Sequence, residues 1–533
     1  MKRCLLFAGA AALLAGCVGG GRENAPAPRP VVTYEEFGAK GDGKADDRLA
    51  IVAAHAAANE RGLPVRARDG ATYYMGCSGE TAIIRTDVDF GTAKFIIDDT
   101  KVKKRDIRSQ CFVVAPDGKP IDITKQVNEA ARSRGAEPAI QAVKPVVAKR
   151  QGGLGVKLPG RCLVQLCDDS VKHYIRKGAN RNNGTEQNEV LLVAADGMVD
   201  PRTPVLWDYG KVTSAKAYPI GGRTLTVKGG VFTTIANQAE SRYTYHMRGI
   251  AVNRSNVRIE GLKHLVTGEL DHGAPYAGFI CISLCADVTV TGCVFTARRT
   301  YMTIGSAGTP ASMGSYGISV NKSANVSFVG CGQTTDILDR RYWGLFGSNY
   351  CRNLLFDGCE FSRFDAHQGV CNATIRNCRL GHMGVQAIGF GTLLIENSTV
   401  RSKGAFLSLR SDYGSTWDGD VIIRNCRFAP CNDVKDSMPP IINGSNDGTH
   451  NFGYACSMPH RIVIDGLEID DSGREGEKRN TYLFGPFTRK AGAKYPYALT
   501  EEVRLRNVRT ASGCELKVSR SKALADKVRI IRE

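Results

Sequence analysis

The chain has 533 residues, and its formal net charge at pH 7 is +18. A hydrophobic content of 42% excludes a mainly disordered chain and is enough for a large core. The basic excess favours polyanionic partners such as nucleic acid, acidic glycans or anionic lipid, and the 59 glycines indicate many tight turns.

A short apolar segment follows two basic residues at the N-terminus. It runs from Leu5 to Leu14, too short to span a bilayer as a helix, so residues 1–16 are predicted to be a signal peptide. The segment Leu14-Ala15-Gly16-Cys17 resembles the lipobox of bacterial lipoproteins, which implies acylation of Cys17. Residues 17–32 would then be a lipid-anchored tether. We expect an exported lipoprotein, periplasmic or on the outer-membrane surface, with the lipid anchor as its only membrane contact. The alternative is an ordinary secretory signal with an incidental cysteine.

Residues 33–100 are predicted to form an N-terminal cap and the first coils. The motif Phe37-Gly38-Ala39-Lys40-Gly41-Asp42-Gly43, followed by Asp46-Asp47, indicates a turn and a helix N-cap. A helix is predicted from about Asp47 to Arg61, closed by Gly62. Its apolar face is predicted to consist of Leu49, Val52, Ala53 and Ala56.

Residues 101–218 carry no readable repeat, and we interpret them as an insertion or a set of irregular coils. A helix is predicted around Ile123 to Arg134, and strands at Cys162 to Cys167 and Glu189 to Ala194.

Residues 219–533 contain one pattern ten times, with alternating apolar positions followed by Gly or Asn. Alternation with period two predicts a short strand, and Gly or Asn supplies the left-handed residue of a turn. The turn residues are 19 to 41 residues apart, so the shortest coil has about 19 residues and the longer ones carry loops. This pattern predicts a parallel β-helix. The ten segments are Leu225–Gly229, Val257–Gly261, Val288–Gly292, Val326–Gly330, Leu354–Gly358, Ala373–Asn377, Leu393–Asn397, Val421–Asn425, Ile462–Gly466 and Val503–Asn507.

The N-terminal motif and its alanine-rich helix resemble the signature of the pectate-lyase-like superfamily. The resemblance implies a right-handed parallel β-helix. The predicted helix suits a cap for the exposed end of such a solenoid, and residues 101–218 suit an insertion. The expected fold is therefore all-β, a right-handed parallel β-helix solenoid with an N-terminal capping helix and an inserted subdomain. The superfamily includes polysaccharide lyases, glycoside hydrolases, epimerases and phage tailspikes, so the resemblance does not specify a reaction.

Sixteen cysteines remain when Cys4 and Cys17 are set aside. Five of them directly follow a turn residue, where other coils have Leu or Val, so we expect stacked core thiols rather than disulfides or metal ligands. These five are Cys293, Cys331, Cys359, Cys378 and Cys426.

Polar residues that do not fit the repeat cluster in four successive segments between Asp339 and Trp417. Counting from the turn residues makes His367 and Gln386 lateral neighbours, and parity points both of them outward. Asp365 is two residues from His367 and is predicted to orient it. The predicted catalytic residues are His367, Arg410, Asp365 and His382, and the predicted substrate-binding residues are Arg341, Tyr342, Gln386, Asp412, Tyr413 and Trp417.

These residues suit β-elimination on a uronic-acid sugar, which needs a base, a cation for the carboxylate and an acid for the leaving oxygen. His367 is the predicted base, Arg410 the cation, and His382 or Tyr413 the acid. A glycoside hydrolase with paired carboxylates such as Asp365 and Asp412 is the first alternative, and a non-catalytic glycan-binding rod is the second.

The predicted partner is an acidic polysaccharide. No nucleic-acid-binding motif is present. A monomer is expected. The cofactor is unknown: calcium is left open, although no ligand set for it is recognisable, and no metal-binding residue is assigned.

Overall fold

The computed structural model describes residues 30–133, 144–178, 182–305, 308–487 and 489–533. The predicted signal peptide, Cys17 and the tether up to residue 29 lie outside the described residues. Within these ranges, every helix is too short or too polar to cross a bilayer.

Thirty strands form one continuous sheet that winds into a parallel β-helix with three stacks per coil, which confirms the predicted fold. The first stack contains Val32–Thr33, Val65–Arg66, Val88–Asp89, Leu225–Lys228, Val257–Glu260, Ala286–Thr291, Ala324–Val329, Arg352–Asp357 and Arg529–Arg532. The second contains Asp42–Asp46, Thr72–Met75, Lys94–Asp98, Val231–Ile235, Lys263–Thr267, Val294–Phe295, Gly332–Gln333 and Thr399–Val400. The third contains Ala82–Ile84, Phe112–Val114, Ile250–Val252, Ile280–Ser283, Ile318–Asn321, Phe346–Asn349, Leu407–Leu409 and Ile442–Asn443. Five longer strands bend through more than one stack: Glu360–Arg376, Arg379–Glu396, Trp417–Phe428, Arg461–Ile469 and Glu502–Thr510.

The ten predicted turn residues all adopt the left-handed conformation, with φ between +47° and +80°. A second set of left-handed residues lies at the N-terminal ends of the strands in the first stack, and this set was not predicted. Its asparagines donate from one coil to the next, as from Asn353 to Asn325 at 2.9 Å and from Asn372 to Asn353 at 3.1 Å. Left-handed residues at both ends of a strand fix where each coil bends.

The capping helix spans Arg48–Arg61 and ends at Gly62, as predicted, but its predicted apolar face is wrong. Leu49 is 68% exposed. The buried residues are Arg48, Ile51, Ala54, His55 and Ala58. Alanines on all sides give the helix little apolar contrast, and two polar groups make specific buried contacts instead. His55 Nε2 lies 3.0 Å from the Tyr34 hydroxyl, and the Arg48 guanidinium donates to the carbonyls of Gly76 and Glu80.

The chain leaves the solenoid after Val114 and returns at Leu225, where the next strand pairs directly with Val88–Asp89. The intervening segment forms an antiparallel sheet from Ile121–Asp122, Cys162–His173, Thr185–Val193 and Ser214–Pro219, with the helix Thr124–Ser133. The buried ion pair between Glu189 and Arg352, at 2.7 Å, joins this sheet to the solenoid. The part of the predicted helix beyond Ser133 lies outside the described residues.

Minor elements complete the described part of the chain. The 3-10 helices that lie wholly within it include Glu35–Phe37, Ser411–Tyr413 and Gly476–Arg479, and the last α-helix described is Lys522–Lys527. Two small sheets pair Tyr301–Ile304 with Pro310–Met313 and Cys456–Ser457 with Tyr497–Ala498.

The five predicted core cysteines are all buried, and every cysteine in the described ranges is a free thiol. Cys426 is one example, and burial raises the pKa of its thiol to about 11. These cysteines therefore act as small apolar side chains of the core.

Candidate functional site

The predicted site residues divide between two places on the solenoid. The first place is the outer surface of the third stack, around the middle of the strands Glu360–Arg376 and Arg379–Glu396. There Asp365 lies opposite Gln386, and Gln386 lies opposite Ser408 on the next coil. The predicted pairing of His367 with Gln386 is wrong by two residues.

The shift has a local cause. Phe361 pairs with Leu380, but two residues later Arg363 pairs with Gly384, so Gly381–Met383 accommodate two extra residues in the second coil. A Cβ at Gly381 would lie 2.0 Å from the Ile337 carbonyl oxygen, which shows how closely this bulge approaches the loop above it. Counting from turn residues therefore assigns the wrong neighbours to side chains beyond the bulge. It still gives the correct inward or outward direction, because the error is two residues.

His367 has a hydrogen-bond partner on each ring nitrogen. Nδ1 lies 2.7 Å from Asn349 Oδ1, and Nε2 lies 3.2 Å from the Tyr413 hydroxyl. The Asn349 amide is oriented by its own donation to Asn321 Oδ1, at 2.7 Å, so its oxygen faces the imidazole. This orientation makes Nδ1 the protonated nitrogen and leaves the lone pair on Nε2.

The surroundings of His367 keep its imidazole neutral at physiological pH. Burial, with a further contribution from Arg410, lowers the pKa of His367 to about 4. A neutral imidazole with a lone pair on Nε2 is able to accept a proton.

Asp365 does not orient His367, contrary to the prediction. Its carboxylate has 0% exposure and binds two guanidinium groups, Arg363 at 2.6 Å and Arg410 at 3.0 Å. Burial alone would raise the pKa of Asp365, but Arg363 and Arg410 hold it below its usual value. Asp365 therefore remains an anion that positions the two arginines.

Arg410 also binds Asp412, at 2.8 Å, so both of its sides are occupied by carboxylates. Asp412 accepts a further contact from Arg176 of the insertion, at 3.2 Å. Arg176 lies over the Tyr413 ring with its guanidinium carbon 5.3 Å from the ring centre. The insertion thus contributes one cation to this cluster.

Tyr413 follows Asp412 in a short 3-10 helix and is almost completely buried. Its ring packs with Tyr174 of the insertion and with Tyr350. Burial raises the pKa of the Tyr413 hydroxyl, so it remains protonated and able to donate.

His382, Arg341 and Tyr342 lie at the second place, away from His367. His382 is 3% exposed, and its backbone N–H donates to the Ile337 carbonyl at 2.9 Å. Arg341 is an exposed residue paired with Asp339 at 2.6 Å. Tyr342 is half-buried against the main core. These residues are therefore separate from His367, the predicted base, because the bulge directs His382 toward the loop that contains Asp339.

Trp417 and Gln386 also differ from the sugar-facing side chains expected. Trp417 is fully buried in the core, and its Nε1 donates to the Gly391 carbonyl at 2.9 Å. It cannot present its ring to a sugar. Gln386 is half-buried and donates to the Met383 carbonyl at 3.0 Å, within the bulge.

Two pockets flank the cluster. The first, of about 500 Å³, is lined by His367, Asn349, Tyr245, Tyr316, Met247 and Arg108, among others, and we call it the histidine pocket. The second, of about 440 Å³, is lined by Arg176, Lys177, Asp412, Asp447 and Tyr243, among others, and we call it the acidic pocket. Both volumes lie in the range of ligand sites.

The sequence reasoning missed three residues of this cluster. Asn349 had a signal, because it occupies the same position in its coil as Asn321 in the coil before. Arg363 lies in one of the four polar segments but received no role. Arg176 had no signal, since its position depends on how the insertion packs on the solenoid.

Within the described ranges, no three His, Cys, Asp or Glu side chains come together in a way that could hold a metal ion.

No family model and no curated protein matches the chain. Among solved structures, the tailspike gp61 of Pseudomonas phage phi297 matches with a TM-score of 0.52 and 12% identity, over 94% of this chain and 83% of the tailspike. The tailspike gp49 of Pseudomonas phage LKA1 matches with a TM-score of 0.44 and 14% identity, over 90% and 81% of the two chains. The Gp54 tailspike of Acinetobacter baumannii bacteriophage AP22, solved with a capsular saccharide, matches with a TM-score of 0.42 and 10% identity, over 86% of this chain and 73% of the tailspike. At such identities the likeness shows the fold alone, a right-handed parallel β-helix.

Proposed function

We propose that this protein is a polysaccharide lyase that cleaves an acidic, uronic-acid-containing polysaccharide by β-elimination. The observation that carries the proposal is the hydrogen-bonded chain from Asn349 through His367 to Tyr413. Asn349 and His367 line the histidine pocket, and Tyr413 lies behind His367. The hydrogen-bonded chain joins an oriented neutral base to a protonated hydroxyl, the two proton-transferring groups that an elimination needs.

The chemistry follows from the protonation states. His367 Nε2 takes the proton from the carbon next to the sugar carboxylate, and the C–H electrons form the new double bond as the bond to the glycosidic oxygen breaks. The Tyr413 hydroxyl gives its proton to the leaving oxygen. The imidazolium then returns a proton to the tyrosinate across their 3.2 Å contact, which restores both groups.

The charge of the cluster favours an anionic substrate. Arg176, Arg363 and Arg410 bring three positive charges against two negative charges from Asp365 and Asp412. The net positive charge lies beside a neutral base in a partly buried site, where it stabilises charge that develops on the substrate carboxylate.

The acidic pocket does not favour the alternative function, glycoside hydrolysis. That pocket contains two carboxylates, but hydrolysis requires one of them to be protonated as the general acid. Burial opposes ionisation of Asp412, yet Arg410 holds its pKa below the usual value. Hydrogen bonds from Thr449 lower the pKa of Asp447 to about 2. Neither carboxyl group keeps a proton to donate.

A screen of acidic polysaccharides tests the proposal. Pectate, alginate and glycosaminoglycans would be incubated with the wild type, and the ultraviolet absorbance of the unsaturated product would be followed. His367→Ala should lower kcat by about 10² to 10⁴-fold, the usual worth of a positioned base. His272→Ala is the matched control, because that imidazole is 49% exposed and contacts Asp271 on the surface. An active wild type with an equally active His367→Ala variant would refute the assignment, and binding without any cleavage would favour the glycan-binding alternative.

A further inference from the structure

The histidine pocket has a distinctive distribution of charge. Among the described residues that line it, Arg108 is the one side chain with a formal charge when His367 is neutral. Arg108 is exposed, and within the described ranges no hydrogen bond or ion pair engages its guanidinium group. A cation without a carboxylate partner in an otherwise neutral pocket is available for an anionic ligand.

Arg410, the cation predicted from sequence, does not have this freedom. Its guanidinium group already binds Asp365 on one side and Asp412 on the other, and its side chain is 14% exposed. A substrate carboxylate at Arg410 would have to displace one of these two anions. The recognition of the carboxylate therefore needs another group.

We infer that Arg108 binds the carboxylate of the uronic-acid ring that occupies the histidine pocket, and so makes this protein specific for acidic sugars. The inference rests on the proposed function. A planar guanidinium group binds a carboxylate through two parallel hydrogen bonds, which fix the orientation of the sugar as well as its position. The carbon that loses its proton is the neighbour of this carboxylate, so an anchored carboxylate holds the reacting C–H bond inside the pocket that His367 lines.

The backbone around Arg108 is held on both sides. The Ile107 carbonyl accepts a hydrogen bond from Met247 N–H at 2.7 Å. The Ser109 carbonyl accepts from the Arg248 guanidinium at 3.3 Å, and Arg248 is itself fixed by a fully buried ion pair with Asp99 at 2.8 Å. This support reduces the conformational entropy lost when Arg108 binds a ligand.

The other walls of the pocket suit a sugar ring. Tyr245, Tyr316 and Met247 supply apolar surface, while Ser319 and Asn321 supply hydroxyl and amide groups. A pocket with apolar walls and a few polar groups is typical of small-ligand sites. Arg108, the single cation, then allows the pocket to bind an acidic sugar more tightly than a neutral sugar of the same shape.

The test measures binding, so it does not depend on turnover. Isothermal titration calorimetry would compare tetrasaccharides of galacturonate, mannuronate and a glucuronate-containing glycosaminoglycan with their carboxyl-reduced forms. For the tetrasaccharide that the wild type binds most tightly, Arg108→Gln should weaken binding by about ten- to a hundred-fold, and Arg108→Lys by less. The carboxyl-reduced form should bind the wild type and Arg108→Gln equally.

Arg105→Gln is the matched control. Arg105 lies in the same loop and loses the same charge, but it is 78% exposed beside Asp106 and lines a different pocket. It should bind the acidic tetrasaccharide like the wild type.

Three results would overturn the inference: unchanged binding by Arg108→Gln, an equal loss in Arg105→Gln, or an equal loss for the carboxyl-reduced sugar. Binding that depends on Arg108 without an unsaturated product would support the inference and refute the lyase proposal.

Discussion

The substitution Asp365→Asn tests whether this residue holds the site together by its charge. Asparagine has nearly the same shape, so the change removes the negative charge and little else. Asp365 is fully buried, and its partners Arg363 and Arg410 are 4% and 14% exposed. Both guanidinium groups would lose a buried counter-charge. Breaking a buried ion pair in this way costs about 3 to 5 kcal/mol of unfolding free energy.

Urea denaturation followed by tryptophan fluorescence measures this loss. Asp339→Asn is the control, because Asp339 pairs with the 72% exposed Arg341 at the surface, and its denaturation midpoint should stay close to that of the wild type. The negative charge of Asp365 favours protonation of His367, so Asp365→Asn should also lower the pKa of that base further. An Asp365→Asn protein as stable as the wild type would refute the ion-pair reasoning.

Three further predictions concern pH, the fold and the membrane. Because His367 must be neutral and its pKa is about 4, kcat/KM should be constant above about pH 5 and should fall at lower pH with an apparent pKa near 4. A fall in kcat/KM with an apparent pKa near 6.5, the ordinary value for histidine, would contradict the lowered pKa. Asn377→Val should destabilise the protein by about 1 to 2 kcal/mol in denaturant titrations, because φ there is +55° and valine is strained in that region; wild-type stability would count against the turn assignment. Cys17→Ala should move the protein from the membrane fraction to the soluble fraction, and equal partitioning of the wild type and the variant would refute the predicted lipid anchor.

The solenoid could be predicted because its turn positions accept few residue types. Asn377, Gly358 and their equivalents need positive φ, so Gly or Asn recurs at a fixed offset from an alternating strand. The capping helix shows the opposite case. Its alanines carry no clear apolar stripe, and the contacts of Arg48 and His55 decide which side is buried.

The candidate site was only partly predictable for a related reason. The outward direction of His367 follows from strand parity, which a bulge preserves when it adds two residues. The neighbours of His367 depend on that bulge at Gly381–Met383, and the contact of Asp412 with Arg176 depends on the position of the insertion. Register and packing of this kind are set by tertiary contacts that a single sequence does not display.

In the proposed mechanism, an oriented, neutral His367 performs an elimination. Mass spectrometry of the products from a defined acidic oligosaccharide tests it most directly, because elimination and hydrolysis differ by one water. Elimination by His367 should give product masses that sum to the mass of the substrate, with one fragment unsaturated, and His367→Ala should give no such fragments. Products that sum to the substrate plus one water would contradict it and identify a hydrolase.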